Sequence, residues 1–342
     1  MNKKNKIVAI ILGVSIFCIA FTGCGANDTI ANSNTSNSAS DDVIVLKAAH
    51  VLSSTSHYEK GIQKFAEIVK EKSDGKIIIE SYAGGVLGDE RDMIEAMQLG
   101  SLDIGLVSTA PLGGFLPEMM VFDMPFIFRD KAHAWKVADG EIGTELFNML
   151  EQQKLVGLAY WDNGFRHLFT TTKAVRSPAD LKGLKIRVME NPIHTGTFKA
   201  LGAIPVPMAW GELFTALQQN TVDGAENSIA VIYTSKFQEV AHYLSLTGHF
   251  YGAVPLLMSQ SVYDGLTQEQ QMIIKEAAIQ ARDYERQVTA DMEAEYITAL
   301  EEEGMEVIEV DRSKFSKECE PLYKESSSMI PQDTIDAVIN TK

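Results

Sequence analysis

The sequence predicts an α/β protein of two lobes with a cleft between them, and three observations carry that expectation. Short apolar, β-rich runs alternate with segments of helical period; the alternation stops and restarts once; and a Glu/Gln/Ala-rich stretch of helical periodicity follows. The chain has 342 residues, 45% of them apolar and 22% charged, which exceeds one typical domain and suffices to bury a core.

The elements follow in order. Residues 43–49 form a β-rich apolar run, after which Tyr58, Ile62, Phe65 and Val69 recur at helical spacing with Glu59, Lys60, Lys64 and Glu67 between them. Ser73-Asp74-Gly75 ends that helix, 76–80 read as a buried strand, and the turn Gly84-Gly85 to Gly88 precedes a helix over 90–99 and a strand over 102–107. Such a βαβαβ series predicts a largely parallel sheet with helices on both faces. The pattern restarts with a strand at 156–160, a capped helix start at Ser177-Pro178-Ala179-Asp180 and a strand at 184–188. A helix over 192–201, a Pro-rich connection through Pro205 and Pro207, a helix over 210–219 and a short strand near Val222-Asp223-Gly224 complete the second unit. Residues 267–304 are one long helix or two consecutive ones, and no repeat of 20–50 residues suggests a solenoid. The expected division is lobe 1 over about 43–160 plus returning segments, lobe 2 over about 161–255 and helices over about 265–342. Interdomain clefts are preferred sites for small molecules.

The N-terminal segment reads as an export signal. Lys3, Lys4 and Lys6 precede an uncharged apolar stretch over 7–23, about 17 residues long, at the lower edge of the roughly 20 that span a bilayer. Phe21-Thr22-Gly23-Cys24 resembles the lipobox of bacterial lipoproteins, in which the cysteine is acylated and becomes the mature N-terminus; an uncleaved anchor with an incidental Cys24 is the alternative. The Asn/Ser-rich segment through residue 42 has almost nothing apolar to bury and is expected to be a flexible tether with a reach of roughly 20–25 Å. The expected plan is therefore signal 1–23, lipidated Cys24 and tether 24–42, and a binding body 43–342.

Charge excludes several partners. The net charge is −16, and cleavage before Cys24 removes three lysines and no acid, taking it to −19. Broad attraction to nucleic acid is thereby ruled out. Cysteines at 18, 24 and 319 make neither a zinc cluster nor a disulfide framework, and no metal or cofactor is expected. Motifs for phosphate loops, dinucleotide folds, nucleophile elbows and zinc proteases are missing, and the seven histidines are scattered.

The sequence instead offers groups suited to holding an anion. Arg166 lies in Asn163-Gly164-Phe165-Arg166-His167, just beyond a predicted strand end, and Arg187 lies inside the apolar strand Leu184-Lys185-Ile186-Arg187-Val188. Such a strand arginine either faces water or points into a cleft where a carboxylate neutralises it.

Three further stretches carry a family resemblance. Asp180-Leu181-Lys182-Gly183-Leu184-Lys185-Ile186-Arg187-Val188, Pro205-Val206-Pro207-Met208-Ala209-Trp210-Gly211-Glu212-Leu213-Phe214 and Val222-Asp223-Gly224-Ala225-Glu226-Asn227 resemble the solute-binding receptors of tripartite ATP-independent periplasmic (TRAP) transporters, of the C4-dicarboxylate-binding (DctP) type. Leu87-Gly88-Asp89-Glu90 and Asp123-Met124-Pro125-Phe126-Ile127-Phe128 also resemble it, so the likeness runs from about residue 45 to at least 300. It implies a two-lobed, periplasmic-binding-protein-like (type II) fold with long C-terminal helices bracing both lobes. It implies that Arg187 clamps the substrate carboxylate, Arg166 adds a contact and Asn227 completes the grip. Trp210 would pack on the ligand, His50 would face the cleft, and Glu226 is placed near the ligand or in a structural role. The implied partners are a small organic acid, the transporter's membrane subunits and, through Cys24, the membrane.

The sequence departs from the family pattern beside the cleft: Ala225 replaces Gln, Ser228 replaces Pro, and Trp210 stands where Phe is common. The clamp survives these changes, while the rest of the ligand stays open among a C4-dicarboxylate, a sugar acid such as a uronate and another small carboxylate. Two rivals remain at this stage. A ligand-sensing lipoprotein would be distinguished by its neighbouring genes, and a surface hydrolase by turnover of a bound acid.

Overall fold

The computed structural model describes residues 43–342; the expected signal segment, Cys24 and the tether lie outside the described residues. The described strands are β1 (Ile44–Ala49), β2 (Ile77–Tyr82), β3 (Ile104–Leu106), β4 (Leu155–Thr170), β5 (Lys185–Val188), β6 (Ile204–Pro207), β7 (Gly224–Ser228), β8 (Tyr243–Ser259) and β9 (Glu306–Ile308). They join one sheet in the order β2-β1-β3-β8-β4-β7-β5-β6, with β9 added to β8.

At each end the sheet is parallel: β1 with β2 and β3, and β5 with β6 and β7. The expectation of a largely parallel sheet holds there and fails in the middle. β4 and β8 pair antiparallel from Leu155↔Ser259 to Thr170↔Tyr243 and carry the sheet through both lobes. At 16 and 17 residues each is about 50 Å long, well beyond an ordinary strand. The expected boundary near residue 160 therefore falls inside β4, and the Asn163–His167 motif lies within that strand rather than beyond its end. The Pro-rich connection is likewise a strand, β6, at the sheet edge, where the missing N–H of Pro205 and Pro207 costs least.

Where the lobes meet, the ladder is irregular. Its register shifts between Gly157 and Ala159, Asp162 and Gly164, and Arg166 and Leu168. Bulges bend a strand and re-aim its side chains. Gly164 supplies the backbone for one of them at φ +88°, a left-handed conformation that a side chain resists.

The apolar residues segregate accordingly. One buried cluster packs β1, β2, β3 and the helix His57–Lys72 and includes Phe65, Met93, Phe122 and Trp161. Two others, around Phe169, Leu217 and Phe237 and around Ile186, Phe198 and Phe315, fill the second lobe. Residues 267–304 form a single helix, Gln268–Glu302, which starts in a capping box between Thr267 and Gln270. Its Ile274, Ala277, Ala278 and Ala281 pack in the first lobe and its Leu300 in the second, so it braces both. Among the described residues no helix is long and apolar enough to cross a membrane.

The brace requires close approach. A Cβ on Gly61 would sit 2.5 Å from Trp161 Cζ3 and 2.9 Å from Glu285 Cγ on the long helix. Glu285 is fully buried, and its Oε2 accepts the Asp162 N–H at 2.9 Å while Oε1 accepts the Thr289 hydroxyl at 2.8 Å. In an exposed helix Gly→Ala stabilises by up to about 1 kcal/mol. Here the sign reverses: Gly61→Ala is expected to destabilise by about 1–3 kcal/mol, the usual cost of overpacking, and urea unfolding measures it.

Candidate functional site

Alternation along β5 sets the site. Ile186 and Val188 bury themselves in the core of the second lobe, which turns Arg187 to the opposite face. There Arg187 borders a cavity holding about 300 Å³ of atom-free space, mouth included. Its lining combines Val51, Leu52, Tyr58, Glu90 and Ser108 of the first lobe with Asn163 and Arg166 of β4 and with Met189, Trp210 and Asn227 of the second.

The two arginines differ in what neutralises them. Arg166 is 4% exposed and grips Glu226 with two nitrogens: Nε donates to Oε2 at 2.5 Å and Nη2 to Oε1 at 2.8 Å. Nη2 also donates to the Glu226 carbonyl, and Nη1 to Asn227 Oδ1 at 3.1 Å. In the β4–β7 ladder Arg166 stands opposite Ser228, so Glu226 is its diagonal neighbour on the same face, within reach of a long side chain. Burial alone would raise the Glu226 carboxyl, but Arg166 outweighs it and holds the group well below the usual carboxylate range. Arg166 is correspondingly raised, Glu226 overcoming the effect of burial.

Arg187 is 3% exposed and has no carboxylate within ion-pair distance among the described residues. Its Nε and Nη2 donate to the Met208 carbonyl at 2.9 and 2.6 Å, and its Cζ lies 5.9 Å from the centre of the Trp210 ring. Burial pulls it down to about 10, against the pull of Glu226, so it stays a cation at neutral pH. The cavity thus holds one guanidinium whose charge is balanced and one whose charge is not.

Asn227 Oδ1 is fully engaged, accepting from Arg166, from Asn163 Nδ2 at 3.0 Å and from the Ser228 N–H at 2.8 Å, which leaves its amide nitrogen as the donor. Ser228, where the family pattern has Pro, donates to Asn163 Oδ1 at 3.0 Å and caps the helix Ile229–Thr234. Ala225, the other departure in that motif, is buried core.

Two expected site residues lie elsewhere. His50 does not line the cavity: it is fully buried, with Nε2 2.9 Å from Glu59 Oε2, and only its neighbours Val51 and Leu52 reach the cleft. Glu226 sits behind Arg166 as its counter-ion and does not line the cavity either. Of the six expected residues, the structure brings Arg187, Arg166, Asn227 and Trp210 together.

Sequence reasoning missed Asn163, Glu90, Ser108 and Tyr58. Asn163 and Glu90 stood inside the quoted motifs, whereas nothing in the local sequence separates Tyr58 from a core residue of its helix. Burial is the leading cause that raises Glu90, which is held at Oε1 by the Ser108 N–H at 2.6 Å. Among the described residues no cluster of His, Cys, Asp or Glu could hold a metal, and Cys319 is buried with its thiol pushed up to about 12.

Residues 48–329 match the model of the bacterial extracellular solute-binding proteins, family 7. A solute-binding protein of Verminephrobacter eiseniae is 41% identical over 76% of this chain and 78% of its own length. The 2,3-diketo-L-gulonate-binding periplasmic protein of Escherichia coli is 36% identical over 79% of this chain and 83% of its own. Among solved structures, a TRAP periplasmic solute-binding protein from Polaromonas bound to D-erythronate superposes with a TM-score of 0.86 at 41% identity, covering 87% of this chain and 99% of that one.

Removing one partner of a buried ion pair strands the other charge. Glu226→Ala is therefore expected to cost about 3–5 kcal/mol of folding stability, and Arg187→Ala, which breaks no ion pair, clearly less; denaturant unfolding of the two variants compares them.

Proposed function

The chain belongs to family 7 of the bacterial extracellular solute-binding proteins, the TRAP solute receptors, and we propose that Arg187 is its clamp for the carboxylate of a small organic acid, a C4-dicarboxylate or a sugar acid such as a uronate. The observation that carries this reading is a buried guanidinium without an acid partner in a cavity between two lobes. A planar guanidinium gives a carboxylate two parallel hydrogen bonds, each worth about 1.5–3 kcal/mol where water is excluded. Arg166 and Asn227 add donors at the same end, and Trp210 supplies an apolar wall. Long-range repulsion of an organic anion by the net negative charge is screened beyond roughly 8 Å, so local charge governs capture.

The receptor delivers the acid unchanged to membrane subunits driven by an ion gradient. Ligand touching both lobes favours their closed arrangement by its differential affinity, with the bulged stretch of β4 and β8 as the hinge. The body, 43–342, is held at the outer face of the cell membrane by acylated Cys24 through the tether ending at 42, residues 1–23 being the signal peptide. Membrane fractionation with intact-mass measurement of the N-terminal peptide tests the anchor: a diacyl mass on Cys24 is expected, together with release of the Cys24→Ser variant into the soluble fraction.

A thermal-shift screen of the full chain against organic acids tests the receptor. Ligand at 100 times Kd adds about 2.7 kcal/mol and raises the Tm, and a flat response to every acid refutes the reading. Arg187→Lys keeps the charge but loses the fork, so it is expected to fold and to lose at least about tenfold in affinity. Unchanged affinity would refute the clamp.

A further inference from the structure

Away from the clamp, the lobes also touch through buried polar groups. Asp123 ends the turn of helix Pro117–Asp123 in the first lobe, whose Val121 and Phe122 fill that lobe's core. Asn191 and His194 open the helix Pro192–Ala200 of the second lobe, whose Phe198 fills the core there. Asp123, Asn191 and His194 are all buried. Asn191 Nδ2 donates across the gap to Asp123 Oδ2 and to the Ala110 carbonyl, both at 3.1 Å. Asp123 Oδ1 accepts the Thr109 hydroxyl of its own lobe at 2.9 Å and has His194 Nε2 3.5 Å away. Beside them Ile193 crosses over and buries itself in the first lobe's core.

This contact lies in the cleft. Ala110 follows the end of β3 and Asn191 the end of β5, and their chain neighbours Pro111 and Glu190 line the mouth of the cavity together with Arg187. Opening the lobes pulls Asn191 away from Asp123 and Ala110, and water then satisfies all three. Closed, they are shut off from water and each must satisfy the other. Asn191 also has a duty within its own lobe: its Oδ1 caps the helix, accepting the Ile193 N–H at 2.7 Å and the His194 N–H at 3.3 Å. The cap survives opening, whereas the bonds from the amide nitrogen belong to the closed state alone.

Resting on the receptor reading above, we infer that Asn191 and Asp123 form an interlobe latch, a pair of positioning residues that hold the closed lobes around the cargo and set how fast it escapes. Neither residue lines the cavity or its mouth. The latch therefore multiplies the affinity for every acid by one factor and leaves the choice among acids to the lining. It acts only after closure, so capture by the open protein is independent of it, while release, which must open the lobes, is slowed.

The two duties of Asn191 separate in Asn191→Ser, because serine caps a helix as well as asparagine does but brings no amide nitrogen to Asp123 and Ala110. Stopped-flow fluorescence of Trp210, at the cavity wall, follows capture and escape in the full chain. The probes are D-erythronate, D-galacturonate and succinate, joined by any acid that raises the Tm in the screen above. Asn191→Ser is expected to speed escape at least about fivefold, by the same factor for each acid that binds, with capture changed less than about twofold. The urea midpoint of the ligand-free variant is expected to stay where it is. Asn191→Asp keeps the cap but sets a second carboxyl group against Asp123, and is expected to release cargo faster still. Asp123→Asn tests the latch from the other lobe, and combining it with Asn191→Ser is expected to speed escape by less than the product of the two single effects, since both break one contact. A folded Asn191→Ser variant with unchanged escape overturns the latch and leaves the receptor reading standing. So does a loss of ligand-free stability as large as the loss of affinity, which makes Asn191 a structural residue. If Asn191→Ser does not fold, escape from Asp123→Asn decides in its place. A protein that binds no acid at all overturns the receptor reading and the latch together.

Discussion

The antiparallel pairing of β4 with β8 is the constraint on which the rest depends. Each lobe is an ordinary parallel α/β unit that could close on its own core, and the two become one sheet only because these strands run the length of both. The same pairing carries register shifts near residues 162–168, the stretch proposed as the hinge, and it carries Asn163 and Arg166 there. In the proposed receptor, chain bending and ligand contact therefore fall in the same few residues.

The electrostatics of the cleft follow from what the backbone places opposite Arg166. Glu226 two positions along β7 takes up that guanidinium, and its carboxylate is also 3.5 Å from His249 Nε2 and 3.9 Å from His194 Nδ1. This keeps one positive charge rigid and balanced behind the cavity wall. Arg187 is held by a carbonyl, a partner that orients a guanidinium without neutralising it. In the proposed clamp, the difference between a carboxylate and a carbonyl as partner separates a supporting arginine from a receiving one. It also explains how a strongly acidic chain can present a local site for an anion.

The fold was legible where periodicity was strong. The helices at His57–Lys72, Glu90–Gln98 and Pro192–Ala200 lie within a residue or two of their patterns, because each shows an apolar stripe between recognisable start and stop residues. β8 was not legible: Gly248, Gly252 and Pro255 punctuate it like a loop, and only its pairing with β4 overrides them. Asn163-Gly164 likewise reads as the end of a strand, whereas here it is a bulge inside one. Within the site, Arg187 was visible as a charge in an apolar strand, but its direction was not, since alternation shows two faces without saying which is wet. The placement of Glu226 behind Arg166, and of His50 behind the cleft wall, depends on cross-strand and interhelical neighbours that local sequence does not encode.

The helix Gln268–Glu302 has a mechanical consequence. It is a rod of about 52 Å fastened to the first core by Ile274 and its alanines and to the second by Leu300. A hinge spanned by such a rod does not swing freely: separation of the lobes must flex the rod or peel one end from its seat, and either acts as a restoring spring. In the proposed receptor, opening to release cargo then works against an elastic load, so the resting gap between the lobes, and the speed with which cargo escapes, are tuned by residues on the back of the molecule that never meet the cargo.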